Sequence, residues 1–498
     1  MIKQDTSNTS QALWIGIGSL CSFLFSIVSA AILSRYFTKD QYGTYKQVMY
    51  VYHTLLTVFT LGLPLAYSYF LPRVTISEGK SLVNKLNYCF LLMGCMFSVV
   101  LYFGADLFAE ILKNNELASN IRIFSVAPIF ILPTMGLQGV LATYKKTILN
   151  AIYVVSTRIL MLICVALPVA LYKNSVAIAL WGFIISSFIS CIIAFYFQNV
   201  PFRGYKKEKC TISYKSIFTY SLPLMVAGFL GIVINAADQF YVSRFFGSEV
   251  FADFANGSLE LPFVSMVLSA SGTVLLPVFS KMLSENCAVD EVVSLWERTA
   301  IKATYILYPI VVFCFFFAGD IMTFIYGEMY ISSAKYFQIM LIVNLFTIIQ
   351  FYPIILALGK TKEYALAHVI MFVMVWGLEY LGVVLFSSPI VVTYISVTCK
   401  ILKILILMKI VSGALKISFW QLFPFRQMLS TLLCCVVAAV ISYYTVVILP
   451  LPESRLLNLI VGFSLFAIIV FALGRLMKID FMSVARPITS KYIKRFYK

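Results

Sequence analysis

Fourteen apolar runs of 18 or more residues succeed one another along the 498-residue chain. Each is long enough to cross a hydrocarbon core of about 30 Å as a helix. No window of soluble-domain composition separates them, so no appended globular domain is expected. The expected fold is therefore all-α and polytopic, with spans near 12–34, 47–71, 86–107, 123–143, 148–172, 176–198, 217–242, 259–280, 301–319, 335–358, 364–387, 389–411, 428–449 and 456–474. Ser29, Ala30 and Ala31 mimic a signal cleavage site, but the run around them exceeds a usual signal core and leads directly into a motif that recurs, so it is read as a span.

That motif is SRYFTKDQYGTY at 34–45, matched by SRFFGSEVFADF at 243–254, an offset of 209 residues. Both copies read Ser-Arg-aromatic-Phe, with an acid at the seventh position and aromatics at the ninth and twelfth, and both close a long apolar segment. LPR at 71–73 is echoed by LLP at 275–277 ahead of Ser280 and Lys281. The duplication predicts two copies of one six-helix bundle, an arrangement common among transporters.

Of the residues 61% are hydrophobic and 12% charged, and the formal charge is +17. In a soluble protein that excess would suggest nucleic acid. Here Lys and Arg concentrate in one alternate set of loops and the other set is close to neutral, so the charge is topological and no nucleic-acid partner is expected. The orientation implied has both termini in the cytoplasm, in a bacterial inner membrane. Of eleven cysteines nine lie in spans and two, Cys210 and Cys287, in loops assigned to the cytoplasm, which suits free thiols on a reducing side.

The chain divides into a first bundle at 1–198, a basic Pro/Gly/Lys-rich linker at 199–216, a second bundle at 217–411, two additional spans within 412–477 and a basic tail at 478–498. Residues 284–300, charged and amphipathic, are expected to form a separate surface helix. This 6+6+2 plan, with RYFTKDQYGTY after span one, YSLPL at 220–224 opening span seven and IYGEMY at 325–330 after span nine, resembles the oligosaccharide flippases of the multidrug/oligosaccharidyl-lipid/polysaccharide (MOP) exporter superfamily. The resemblance implies paired bundles around a cavity lined by spans one, two, seven and eight, and an undecaprenyl-diphosphate-linked glycan as cargo. It also implies a lipid-tail groove in the last two helices.

Ionisable residues within spans are costly and mark candidate sites. Asp238 in span seven, with Asn235 one turn earlier, is a candidate for ion coupling; the alternative is a structural hydrogen bond. Arg158 in span five, and Lys400 and Lys403 three apart on one face of span twelve, are candidate ligands of a lipid diphosphate, Arg by bidentate geometry and Lys by mobile charge; snorkelling is the alternative for the lysines. Arg73, at the inner end of span two, is a candidate to meet an entering diphosphate, with a positive-inside anchor as the alternative. Arg35 and Arg244, at equivalent places of the repeat at the outer mouth, are candidates for clamping the headgroup or gating the two bundles, with interfacial anchoring as the alternative. Crossed pairs, Arg35 with Glu249 and Arg244 with Asp40, would latch an outer mouth. Glu379 is read as interfacial, and His53 and His368 as hydrogen-bonded packing rather than a metal site.

No enzyme, cofactor or metal signature emerges: Gly359-Lys360-Thr361 lacks the upstream glycine of a phosphate loop, position 354 being Ile. The expected function is flipping of a lipid-linked oligosaccharide by alternating access, for O-antigen, capsule or exopolysaccharide assembly. Membrane lipids and other polysaccharide-assembly proteins are the expected partners. The alternatives are a drug or peptidoglycan-precursor exporter of the same superfamily, or a glycan-polymerising enzyme, which the short outer loops disfavour.

Overall fold

In a computed structural model, residues 8–172, 175–285, 287–449 and 454–483 are described. Most of the basic tail at 478–498 lies outside them. The described chain is helical with no strand, and its contacts group into two units, Met1–Ala252 and Asp253–Lys498.

The first unit holds α1 (Asn8–Tyr36), α2 (Lys39–Thr60), α3 (Leu63–Phe70), α4 (Ile76–Leu112), α5 (Asn115–Phe124), α6 (Ala127–Ile131), α7 (Leu137–Thr143), α8 (Thr147–Met161), α9 (Leu167–Leu171), α10 (Val176–Asn199) and most of α11 (Tyr214–Gly257). Breaks within the spans follow from local chemistry. Leu61 and Gly62 both adopt positive φ, 50° and 67°, and turn α3 by 41° from α2. Pro133 interrupts span four between α6 and α7, and the Pro133 carbonyl is taken up by Gln198 of α10 at 3.3 Å. Gln198 also accepts from Asn87, which accepts in turn from the Tyr67 hydroxyl, both at 2.8 Å, so a polar chain ties α3, α4 and α10. The linker lies on the start of α4, where Lys85 donates to the Ile212 carbonyl at 2.9 Å and Lys80 to that of Tyr205 at 3.3 Å.

The second unit comprises α12 (Pro262–Ser284), α13 (Val289–Phe316), α14 (Ala318–Tyr326), α15 (Ser333–Ile342), α16 (Tyr352–Ala357), α17 (Thr361–Phe386), α18 (Pro389–Leu415), α19 (Phe425–Ile448) and α20 (Arg455–Leu476). The expected surface helix at 284–300 is not separate. Most of it forms the first turns of α13, because Val292, Trp296 and Ala300 recur at helical spacing and are fully buried among Phe279, Phe351 and Phe423. The Trp296 indole donates to the Leu422 carbonyl at 2.8 Å, which anchors the segment to the chain entering α19. The additional pair α19 and α20 packs together and against α13 and α14. Arg455, opening α20, reaches Glu328 at 3.0 Å and Asp320 at 3.2 Å.

Ten helices among the described residues are long and apolar enough to span, eleven when α2 and α3 count as one bent span. Of the fourteen expected, span one contributes a shorter described stretch, Leu20–Tyr36, and span ten is broken between Ser333–Phe346 and α16. α12 is not among the ten.

Candidate functional site

The repeat is structural as well as sequential. In the first copy Thr38 caps α2 through a reciprocal box with Gln41, ending α1 at Tyr36. The position 209 residues on is Gly247, at φ 82° and ψ 177°, a conformation reserved for glycine, and it kinks α11 at the equivalent place. Ser34 and Ser243, the first residues of the two copies, are both fully buried, as are Tyr42 and its counterpart Phe251.

From this kink downward, α11 runs antiparallel along α2 and α3 and forms a seam. Asp40, Gly43, Gln47 and Tyr50 share one face of α2 by their three- and four-residue spacing. Each meets α11. The Ser248 hydroxyl donates to Asp40, and the Gly43 backbone lies so close that a Cβ there would fall 2.0 Å from the Ser248 carbonyl oxygen. Gln47, fully buried, donates to the Ser243 hydroxyl at 2.8 Å and accepts from Asn114 at 2.6 Å, while Asn114 also donates to Thr44 at 2.8 Å. The Tyr50 hydroxyl donates to the Ala236 carbonyl at 3.2 Å. At the other end, a Cβ on Gly62 would lie 2.4 Å from the Ser221 carbonyl oxygen. Tyr69 there stacks on Tyr220 with centroids 4.0 Å apart, and the Arg73 guanidinium sits 3.4 Å over the Tyr69 ring.

At the repeat-bearing end of this seam, other contacts stand where the crossed latch was expected. Arg244 donates to the Ile111 carbonyl and Asp40 takes Ser248, so the Arg244–Asp40 pair is not made, and Glu249 is exposed. A carbonyl and a hydroxyl lie nearer to these groups than the opposite charge does. Arg35 is exposed at the end of α1.

Arg158, half-buried in α8, donates through Nε to the Ser22 hydroxyl of α1 at 2.8 Å and through Nη1 to the Met161 sulfur at 3.8 Å. Its Nη2 has no protein partner among the described residues. Asp238 is buried and accepts from the Gln239 backbone N–H at 2.8 Å, whereas Asn235 is exposed. In the second unit Lys400 and Lys403 are both half-buried on α18. Glu379 is fully buried. The reason is that α17 packs tightly along α18, where Gly382 admits Ile395 so closely that a Cβ would meet its Cδ1 at 2.4 Å. His368 is hydrogen-bonded to the Tyr364 carbonyl at 2.9 Å. In the loop after α14, burial pushes the Tyr330 hydroxyl above its ordinary pKa.

Sequence reasoning missed Gln47, Asn114, Ser243, Ser248 and the Tyr69–Tyr220 stack. For α2 a signal was present: Asp40, Gly43, Gln47 and Tyr50 recur at three- and four-residue spacing, on one helix face.

A family model described as polysaccharide biosynthesis protein matches residues 9–283. Among solved structures, the chain is similar to the lipid II flippase MurJ in an inward closed conformation, with TM-score 0.67 and 15% identity over 93% of this chain and 99% of that one. It is also similar to an inward-facing multidrug resistance MATE family transporter of the MOP superfamily, with TM-score 0.61 and 12% identity over 82% of this chain and 99% of that one. A third likeness is to a MOP superfamily transporter from Pyrococcus furiosus, with TM-score 0.57 and 14% identity over 82% and 95%. No curated protein matches the chain. The chain thus shares the fold of these solved flippase and transporter structures.

Proposed function

The chain belongs to the polysaccharide biosynthesis protein family, and on that premise we propose that it flips undecaprenyl-diphosphate-linked oligosaccharide repeat units from the inner to the outer leaflet of the bacterial inner membrane. The products serve O-antigen, capsule or exopolysaccharide assembly. Both termini are cytoplasmic, and the mechanism is alternating access.

The observation that carries this reading is the seam between α2 and α11. Its contacts are single hydrogen bonds, glycine-backbone approaches and one aromatic stack, each worth on the order of 1 kcal/mol. Such contacts close a gate without locking it. In this reading Asp40, Gly43, Gln47, Ser243 and Ser248 are the outer gate, and Tyr69, Arg73 and Tyr220 the inner one. When the inner stack parts, Arg73 is released from Tyr69 and meets an entering diphosphate.

Arg158 and Lys400 then hold the anionic head, with Lys403 adding charge and Arg35 and Arg244 assisting release at the outer mouth. Arg158 suits this role because, among the described residues, Nη2 has no partner while Nε is held by Ser22. Moving a charge of about −2 outward through an inside-negative potential of 100 mV is worth ~4–5 kcal/mol, so the potential alone drives net export. Asp238, with Asn235, adds ion coupling where the gradient is used. No step here makes or breaks a covalent bond.

The reading is tested by deleting the gene and analysing the lipid-linked glycans. Accumulation of a lipid-linked oligosaccharide on the cytoplasmic leaflet is expected. Accumulation of the peptidoglycan precursor, or of no lipid-linked glycan, overturns the assignment.

A further inference from the structure

The second unit contains a cavity of about 410 Å³ between α18 and α19, closed behind by Tyr308 of α13 and by Leu345 where span ten breaks. Its size is in the range of small-molecule sites. Nothing in the cargo reading uses it: the lining comes from α13, α18, α19 and the segments 345–346 and 419–423, and α20 contributes none of it. It is thus distinct from a groove between the last two helices.

The lining is apolar throughout. Tyr308 supplies a hydroxyl, but it is spent on the Leu345 carbonyl at 2.7 Å. A hydrogen-bonding ligand therefore finds nothing to bind in the floor, where Met408 and Met428, two adaptable thioether side chains, are buried. The mouth is different. Trp420 is 67% exposed and Leu429 58%, and Phe425 is exposed beside them. On a membrane-spanning chain these side chains face hydrocarbon and its interface, so the cavity opens sideways into the bilayer.

Charge selects among the lipids that could enter. Lys409 follows the lining residue Met408, Lys416 lies three residues before Phe419, Arg426 follows Phe425, and all three are exposed. From Pro389 to Leu449 there is no Asp or Glu. A mouth with cations and no acid of its own elements favours an anionic headgroup over a zwitterionic one.

We propose that this cavity holds one acyl chain of an anionic glycerophospholipid from the leaflet against which the 416–424 loop lies, with the headgroup between Lys416 and Arg426. The lipid is a resident cofactor of the second unit, not cargo. Its chain fills the space between α18 and α19, and its headgroup fixes the loop that carries Trp420.

The test uses the full-length protein in mixed micelles with acyl-brominated phosphatidylglycerol or phosphatidylcholine as quencher. The Trp420 signal is taken as the difference between wild type and Trp420→Phe. Quenching is expected to half-saturate at a mole fraction of brominated phosphatidylglycerol at least threefold lower than of brominated phosphatidylcholine. Met428→Phe, which fills the cavity, should abolish that saturable component. Arg426→Glu with Lys416→Glu, both at exposed positions that do not bear on folding, should remove the preference between lipids. Equal quenching by the two lipids in wild type, or a preference that survives the double charge reversal, overturns the proposal whether or not Met428→Phe folds. Displacement of brominated phosphatidylglycerol by undecaprenyl phosphate at a lower mole fraction than by plain phosphatidylglycerol also overturns it, by giving the cavity to the carrier lipid.

Discussion

Gln47→Leu is the substitution that most directly separates a gate from a packed seam. Leucine is close to glutamine in volume, so no large cavity forms and helix propensity is preserved. What is lost is polar. Gln47 donates to Ser243 and accepts from Asn114, and both it and Ser243 are fully buried. Asn114 keeps its bond to Thr44 and its cap on the Glu116 N–H, so its loss is one bond, roughly 0.5–1.5 kcal/mol. Ser243 is left with a buried, desolvated hydroxyl oxygen, which costs about 1–3 kcal/mol. The closed seam should therefore weaken by about 2 kcal/mol or more, which is roughly a 30-fold shift in an open-to-closed ratio. The assay is a spin-label distance measurement between positions 36 and 249, both exposed, one at the end of α1 and the other just past the α11 kink. Non-cysteine labels are needed because Cys95 is also exposed. Wild type should show a dominant short-distance population, and Gln47→Leu should add a long-distance one. If the distribution is unchanged while thermal stability falls by the same energy, the Gln47 contact is static packing and does not gate.

Arg158→Ala should lower transport at least tenfold at normal membrane abundance, since a charge-assisted contact is worth ~1.5–3 kcal/mol; Ser22→Ala, which removes only its tie to α1, should cost much less, and equal losses in the two would make Arg158 structural. At Lys400, Arg should retain much activity and Gln little if the lysine supplies charge to a diphosphate, and equal activity of the two variants in vesicle transport would contradict that role. Trp296→Phe deletes the bond to the Leu422 carbonyl from a fully buried site and should destabilise the second unit by about 1–3 kcal/mol, read as a lowered melting temperature in detergent; an unchanged melting temperature would mean that this turn of α13 is not core. Because Asp40 is engaged by Ser248 and Arg244 by Ile111, Arg244→Glu combined with Asp40→Arg should not rescue the transport defect of Arg244→Glu, and a clear rescue would restore a charge latch at the mouth.

The membrane class was legible because it rests on long apolar runs, and at the fixed offset of the repeated motif the equivalence of Thr38 and Gly247 is a shared helix break. Local polar geometry was not legible. Whether Asp40 meets an arginine or a serine depends on side-chain reach across a helix pair, set by the close approach at Gly43. The burial of Glu379 was not legible for a related reason. Its aromatic neighbours Trp376 and Tyr380 suggest an interface, but on α17 they point elsewhere, and the face carrying Glu379 and Gly382 is the one that packs. The charge of residues 284–300 concealed the buried stripe of Val292, Trp296 and Ala300, because a helix can be amphipathic toward a protein core as readily as toward a membrane surface. Of the candidate cargo ligands, the sequence located the intramembrane cations but not their commitments, and only the structure shows Arg158 held by Ser22.

The most direct test of the account is flipping by the purified protein in liposomes carrying a labelled undecaprenyl-diphosphate oligosaccharide. Exposure of the glycan on each leaflet would be followed with a membrane-impermeant glycosidase. The account predicts that the protein accelerates transbilayer movement of the glycan over protein-free liposomes and that an inside-negative potential biases its direction outward. It also predicts that Gly43→Val, whose side chain cannot fit against the Ser248 carbonyl, cannot close the outer end and so slows transport. Movement no faster than in protein-free liposomes, at any imposed potential, would contradict it.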